Sequence, residues 1–184
     1  MKNKILIFAL LMIYGTFSVG MEVNVPCSEN STSKELINIL REGVKINERF
    51  KKSLSQDNHA AYAQLRQRSE SFIENEIASC ETRVLEILSS RNDHELAKVF
   101  LEVVVSYENS ADENIADYLS EIYLRNPIVI EQAMSTFTLP DQAIVIRQIK
   151  FGWENIKSTL DNETAINGEV RLKQLSPKEF RKAP

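Results

Sequence analysis

The fold of this chain is decided by residues 93–107, which read DHELAKVFLEVVVSY. Asn92 or Asp93 stands at a position suited to a helix cap, and apolar residues then recur at three- and four-residue steps from Leu96 to Tyr107. Between Leu101 and Val105 the stretch is apolar on almost every side, which is typical of a central helix rather than a surface one. The sequence therefore predicts a central helix here.

Two helices are predicted before this stretch. The first begins with a capping box, in which Thr32 or Ser33 accepts free backbone N–H groups and Glu35 lies three residues after Thr32. Its apolar stripe has a single polar gap, at Asn47. A longer second helix carries Cys80 on its apolar stripe.

Three more helices are predicted after the stretch, since each has a start signal. Residues 110–113 form a second capping box, and prolines follow Asn126 and Leu139 at positions suited to a first helical turn. We therefore expect an all-α fold over residues 32–160, a single domain of five to six antiparallel helices in a helical-hairpin bundle or short solenoid. An extended segment is expected at 21–31 and a polar, mobile C-terminal tail at 161–184.

The N-terminal residues 1–20 have the pattern of a secretory signal peptide. Lys2 and Lys4 precede an apolar run at 5–14, and the small residues Ser18 and Gly20 stand at the positions that a signal peptidase requires. The alternative is a retained membrane anchor, but the run is shorter than the roughly 20 residues of a spanning helix. We expect an exported, periplasmic or secreted protein with no membrane span after cleavage.

In an exported chain, the cysteine pair Cys27 and Cys80 predicts a disulfide, with two separate buried thiols as the alternative. Cleavage after residue 20 would remove two lysines and no acidic residue. The remaining 20 basic and 26 acidic side chains give a formal charge of −6. This balance argues against nucleic acid as a partner, because phosphate binding depends on clustered basic residues.

The sequence contains no complete motif for a cofactor, a metal site or a catalytic nucleophile. His59 and His94 do not stand at the spacing of a zinc-binding helix, so neither a metal site nor a cofactor is expected. The string from Ser31 to Lys34 matches the SxxK motif of serine enzymes, but the other motifs of those enzymes are missing and a capping box explains it. No catalytic residue is assigned from such motifs.

Two features are candidate binding sites. Glu113, Asp117 and Glu121 stand four residues apart and share one helix face, which indicates a solvated face, a docking face for a basic partner, or the carboxylate pair of a glycoside hydrolase. Phe151 and Trp153 could anchor a partner, although the position of Trp153 on an apolar stripe favours core packing.

These patterns together predict an exported, non-enzymatic binding or interaction protein of the bacterial envelope with a protein partner. An inhibitor or immunity-type role is one form of that function. The alternative is a small cell-wall hydrolase that uses paired carboxylates. The sequence leaves the oligomeric state and the partner's identity open.

Overall fold

A computed structural model describes residues 27–54, 59–108 and 113–176 of the chain. Side chains are not described for residues 59–61 and 113. The predicted signal peptide at 1–20, residues 21–26 of the predicted extended segment, most of the capping box at 110–113 and residues 177–184 of the predicted tail lie outside the described residues.

The described residues form eight α-helical segments and no strand, so the all-α prediction is confirmed. The segments are α1 (Ser33–Ser53), α2 (His59–Phe72), α3 (Ala78–Ser90), α4 (His94–Ser106), α5 (Glu113–Arg125), α6 (Pro127–Met134), α7 (Leu139–Ile156) and α8 (Asn162–Gln174). A π-helical turn (Ile73–Ile77) joins α2 to α3 without a break. Within these ranges, no helix has both the length and the apolar character that crossing a membrane requires.

The predicted start signals act as expected at two helices and differently at a third. The hydroxyl of Thr32 accepts the N–H of Glu35, whose carboxylate accepts the N–H of Thr32 at 2.7 Å. The carboxylate of Asp93 likewise caps α4. Asn126 makes no side-chain cap on α6, and its amide instead donates to the carbonyl of Leu88 at 2.8 Å. Asn126 thus ties the end of α3 to the start of α6.

Helix α4 lies in the core and packs against α1, α6 and α7. Its apolar side chains are almost completely shielded from solvent except for Val105, which is partly exposed. Leu96, Ala97, Leu101 and Val103 have no measurable exposure. Burial of apolar side chains is the main favourable contribution to folding, and the apolar side chains of α4 add to it.

Helix α8 lies in the stretch where the sequence pattern indicated a polar tail. Asp161 caps it by accepting the N–H of Thr164 at 2.9 Å, and Leu172 is buried on its inner face. Ile166 and Val170 point outward and are 64% and 54% exposed. Because apolar residues occupy both faces, the periodicity is blurred and the helix was missed. Counting α2 and α3 as one rod, the described chain has seven helices instead of five to six.

The predicted disulfide between Cys27 and Cys80 is present, with the two Cα atoms 5.0 Å apart. It fastens the segment before α1 to α3, and Arg83 adds a hydrogen bond from its Nε to the carbonyl of Ser31 at 3.1 Å. Closing a loop with a sequence separation of 53 stabilises the fold by about 4 kcal/mol in the chain-entropy treatment.

Candidate functional site

The acidic side chains predicted to share one face of α5 make contacts with polar or basic neighbours. Asp117 is partly exposed, and its carboxylate accepts a hydrogen bond from the side-chain amide of Asn155 on α7 at 2.9 Å. Glu121 is also partly exposed and forms an ion pair with Arg125 one turn further along α5. Glu113 lies on the same helix, but its side chain is not among those described. The carboxylates of Asp117 and Glu121 therefore make polar contacts at the protein surface.

The two predicted aromatic residues on α7 have different environments. Trp153 is only 6% exposed, and its ring packs against Gly168 of α8 beside Leu124 of α5. Phe151 is 44% exposed and stands on the surface. They do not form one aromatic surface, because Trp153 contributes to the core and only Phe151 faces solvent.

A groove that the sequence did not indicate lies between α1 and α2, and we call it the α1–α2 groove. It encloses about 660 Å³. Its lining comes from residues 47–51 near the end of α1, from α2 with the π turn and the first residue of α3, and from the end of α4 and the start of α5. This volume falls within the range of roughly 300–1,000 Å³ that is usual for ligand sites.

The floor of the groove is a buried hydrogen-bond network. The amide nitrogen of Asn47 donates to the carbonyl oxygen of Ser106 at 2.6 Å and to its hydroxyl at 3.0 Å. The hydroxyl of Ser69 donates to the amide oxygen of Asn47 at 3.3 Å. All three residues are buried, and satisfied networks of this kind hold helices in a fixed relative position.

Tyr107 extends this floor from the end of α4. Its hydroxyl donates to the backbone carbonyl of Gly43 on α1 at 2.9 Å. Burial raises the pKa of the Tyr107 hydroxyl, and a hydrogen bond with Ser69 opposes that shift. The hydroxyl therefore stays protonated at neutral pH and remains able to donate.

The mouth of the groove combines aromatic and charged side chains. The rings of Phe50 and Tyr62 pack against each other there, with centroids 5.4 Å apart and a tilt of 39°. Arg66 and Glu70 form an ion pair at 2.8 Å along α2. Two more lining charges, on Lys51 and Glu74, are exposed. The mouth can therefore offer both stacking surfaces and charge to a ligand.

The π turn lies in the wall of this groove. Ile73 and Glu74 belong to the turn and line the groove, and Ile73 is buried while Glu74 is exposed. A π turn within an α-helix is rare and is found frequently at functional sites, because the widened turn redirects the side chains around it. This turn gives the groove an apolar contact and a carboxylate side by side.

Comparison of the chain with protein-family models, with curated proteins and with solved structures gives no match in any of the three. Within residues 27–54, 59–108 and 113–176, no three side chains of the metal-binding types cluster, and His94 is exposed. The one sequence signal for the groove was the polar gap at Asn47 in the apolar stripe of α1.

Proposed function

We propose that this protein is an exported, non-enzymatic binding protein of the bacterial envelope, and that its partner is a protein. The α1–α2 groove is the observation that carries the proposal, because it combines ligand-site volume, paired aromatic rings and a rigid polar floor. An inhibitor or immunity-type role is one form of this function, since such a role requires only surface complementarity.

Export is supported by the disulfide and by the sequence of residues 1–20. Disulfides persist in oxidising compartments such as the periplasm, and Cys27 and Cys80 are joined. The basic start, apolar run and small residues of the first twenty positions are typical of a cleaved leader. These two features are independent of each other and agree on the compartment.

The alternative function, a small cell-wall hydrolase, gains no support from the described acids of α5. A glycosidase acid needs a carboxyl group held in an apolar environment. Asp117 and Glu121 are instead partly exposed, and each is engaged by a polar or basic neighbour. The binding function is therefore the better supported of the two.

Site-specific photocrosslinking in envelope extract tests this proposal. A photoreactive phenylalanine at position 62 lies in the groove mouth, and the same residue at position 151 lies on exposed α7. We expect one envelope protein to be captured from position 62, identified by mass spectrometry, and lost when Phe50→Ala is added. Capture only from position 151 would move the site to α7, and release of soluble muropeptides from purified peptidoglycan would contradict the non-enzymatic proposal.

A further inference from the structure

Helix α8 has apolar residues on two opposite faces, and the core covers one of them. On the inner face, Gly168 lies against the ring of Trp153, and Leu172 is buried. On the outer face, Ile166 and Val170 stand four residues apart, which places them one above the other on the helix surface. Both are more than half exposed. The outer pair is therefore an apolar surface that the described chain leaves open to solvent.

The position of these two residues distinguishes them from the other exposed apolar side chains. Ile166 and Val170 are the only two in the described part of the chain that stand one turn apart on the same helix. Exposed apolar residues that are scattered singly are ordinary on a protein surface, whereas adjacent ones are typical of an interaction surface. The other exposed large side chains are those of Leu54, Ile128, Leu139 and Phe151.

A charged residue of opposite sign flanks the apolar pair at each end. Glu163 lies three residues before Ile166, and Lys173 lies three residues after Val170. Steps of three, four and three residues place all four side chains on one helix face, which we call the outer seam. Glu163 is exposed and forms no ion pair within the described residues. Lys173 pairs with Glu169 at 2.8 Å, and its three N–H donors allow it to bind a second carboxylate.

The outer seam is complementary to itself when a second copy of α8 runs antiparallel to the first. With the two-fold axis at position 168, Ile166 lies opposite Val170 of the second copy, and Glu163 lies opposite Lys173 of the second copy. A two-fold axis forms each of these contacts twice. Parallel pairing would instead bring like charges together. The order of charges along the seam therefore favours an antiparallel copy of the same helix.

The same charges disfavour a membrane as the occupant of the seam. Helices that lie in an anionic membrane surface carry lysine and arginine along the edges of their apolar face. The outer seam instead has Glu163 within it and Glu169 beside it. A bilayer would leave these carboxylates without a basic partner, whereas a second copy offers Lys173 to each Glu163.

We propose that the outer seam of α8 pairs with the outer seam of a second copy in an antiparallel, two-fold symmetric dimer. The seam extends over ten residues, or about 15 Å, so the interface is smaller than that of a stable dimer. The association is therefore reversible, with a Kd of about 100 µM. This surface is separate from the α1–α2 groove, so the dimer does not depend on the binding function proposed above.

Sedimentation equilibrium of the full exported chain between about 10 µM and 1 mM tests the dimer. We expect a monomer that converts to a dimer and to nothing larger. Val170→Glu should weaken the dimer at least tenfold, because it places a charge against Ile166 of the second copy. Ile128→Glu, at a position of matched exposure on α6, should leave it unchanged. A monomer at 1 mM, or a dimer that Val170→Glu does not weaken, would overturn the proposal.

Reversing one charge at a time tests the antiparallel arrangement. Glu163→Lys and Lys173→Glu each turn both charge contacts of the dimer into repulsions, so each variant alone should dimerise about tenfold more weakly. An equal mixture of the two variants should recover the dimer, because every contact then joins opposite charges. Both side chains are exposed, and circular dichroism checks that the helical content is unchanged. A mixture that stays monomeric would contradict the pairing.

Zero-length crosslinking with a carbodiimide locates the contact. Within one α8, Glu163 and Lys173 are about 15 Å apart along the axis, which is beyond the reach of an amide bond between their side chains. A crosslink between these two positions therefore forms only between copies, and mass spectrometry should find it in the dimer but not in Val170→Glu. A dimer crosslinked only elsewhere would overturn the assignment. So would a monomeric chain that binds phosphatidylglycerol vesicles through Val170, since the seam would then face a membrane.

Discussion

The contact between α5 and α7 and the contact between α1 and α2 are built from side chains of different size. At Gly152 on α7, a Cβ atom would overlap the backbone carbonyl of Ala116 on α5 and lie 2.5 Å from the hydroxyl of Ser120. The hydroxyl of Ser120 also donates to the carbonyl of Ile149 at 2.6 Å. The two backbones are therefore in close contact at this crossing.

Between α1 and α2 the residues that line the groove are large or polar, whereas the glycine Gly43 lies outside it against Phe72 and Ile77. Phe50 and Tyr62 meet through their rings, and Asn47 reaches Ser69 only through its side-chain amide. The α1–α2 groove remains between the helices as a result. The comparison shows that side-chain size at a crossing decides whether two helices close together or leave space for a ligand.

The largest effect is expected from Gly152→Ala in the close crossing. The new methyl group would meet backbone on α5, which cannot move aside as a side chain can, so α5 and α7 must separate. We expect a loss of about 3 kcal/mol in the free energy of unfolding. Urea denaturation followed by circular dichroism measures it.

Gly43→Ala on α1 is the matched control. There the new methyl group would meet mainly the far end of the Ile77 side chain, at 2.7 Å, which can rotate away. Alanine also favours a helix over glycine by up to about 1 kcal/mol. We expect a net change within about 1 kcal/mol. Equal losses for the two variants would remove the distinction between the crossings.

An intermediate effect is expected when the groove floor loses its amide. Asn47→Ala removes both hydrogen bonds to Ser106 and leaves a buried carbonyl without its donor. We expect a loss of about 2 kcal/mol in unfolding free energy, measured as above. The control is Asn155→Ala, because that exposed amide contacts Asp117 at the surface and should change stability by less than about 0.5 kcal/mol. A larger loss at Asn155 than at Asn47 would reverse the expected order.

The smallest effect concerns Tyr107 and depends on pH. Tyr107→Phe removes the hydrogen bond to Gly43, which should cost about 1 kcal/mol at pH 7. Burial raises the pKa of Tyr107 in the folded chain, so the unfolded chain ionises first, near pH 10, and the stabilising contribution falls as the pH rises through the folded-state pKa. Phenylalanine has no such contribution.

The stability difference between the parent and Tyr107→Phe should therefore shrink above about pH 10. Urea denaturation of both proteins between pH 7 and pH 11 measures this convergence. A difference that is constant or that widens with pH would contradict the buried placement of the hydroxyl.

Much of the fold could be predicted because local signals decide it. The apolar run of α4 and the capping box at Thr32 act within a few residues, and both appear in the structure as expected. The π turn was not predicted, because Ile73 and Ile77 are four residues apart, a spacing that an ordinary α-helix also buries. Helix α8 was missed because Ile166 and Val170 place apolar residues on its outer face.

The candidate site was harder to predict, because a groove depends on how far apart two helices pack. The sequence drew attention to acids and aromatics on α5 and α7, the pair that closes tightly around Gly152. It marked the groove only through Asn47, a polar residue that interrupts an otherwise apolar stripe. Such a gap is informative, since a buried amide needs partners and those partners usually come from a neighbouring helix.

The π turn also sets the rotational phase of everything that follows it in the long helix. In an α-helix each residue advances the side-chain direction by about 100°, so removing one residue from 73–77 would turn α3 by about that angle relative to α2. Cys80 would then point away from the segment that carries Cys27, although the chain length to it would hardly change. The widened turn therefore sets the direction in which α3 presents Cys80 to Cys27.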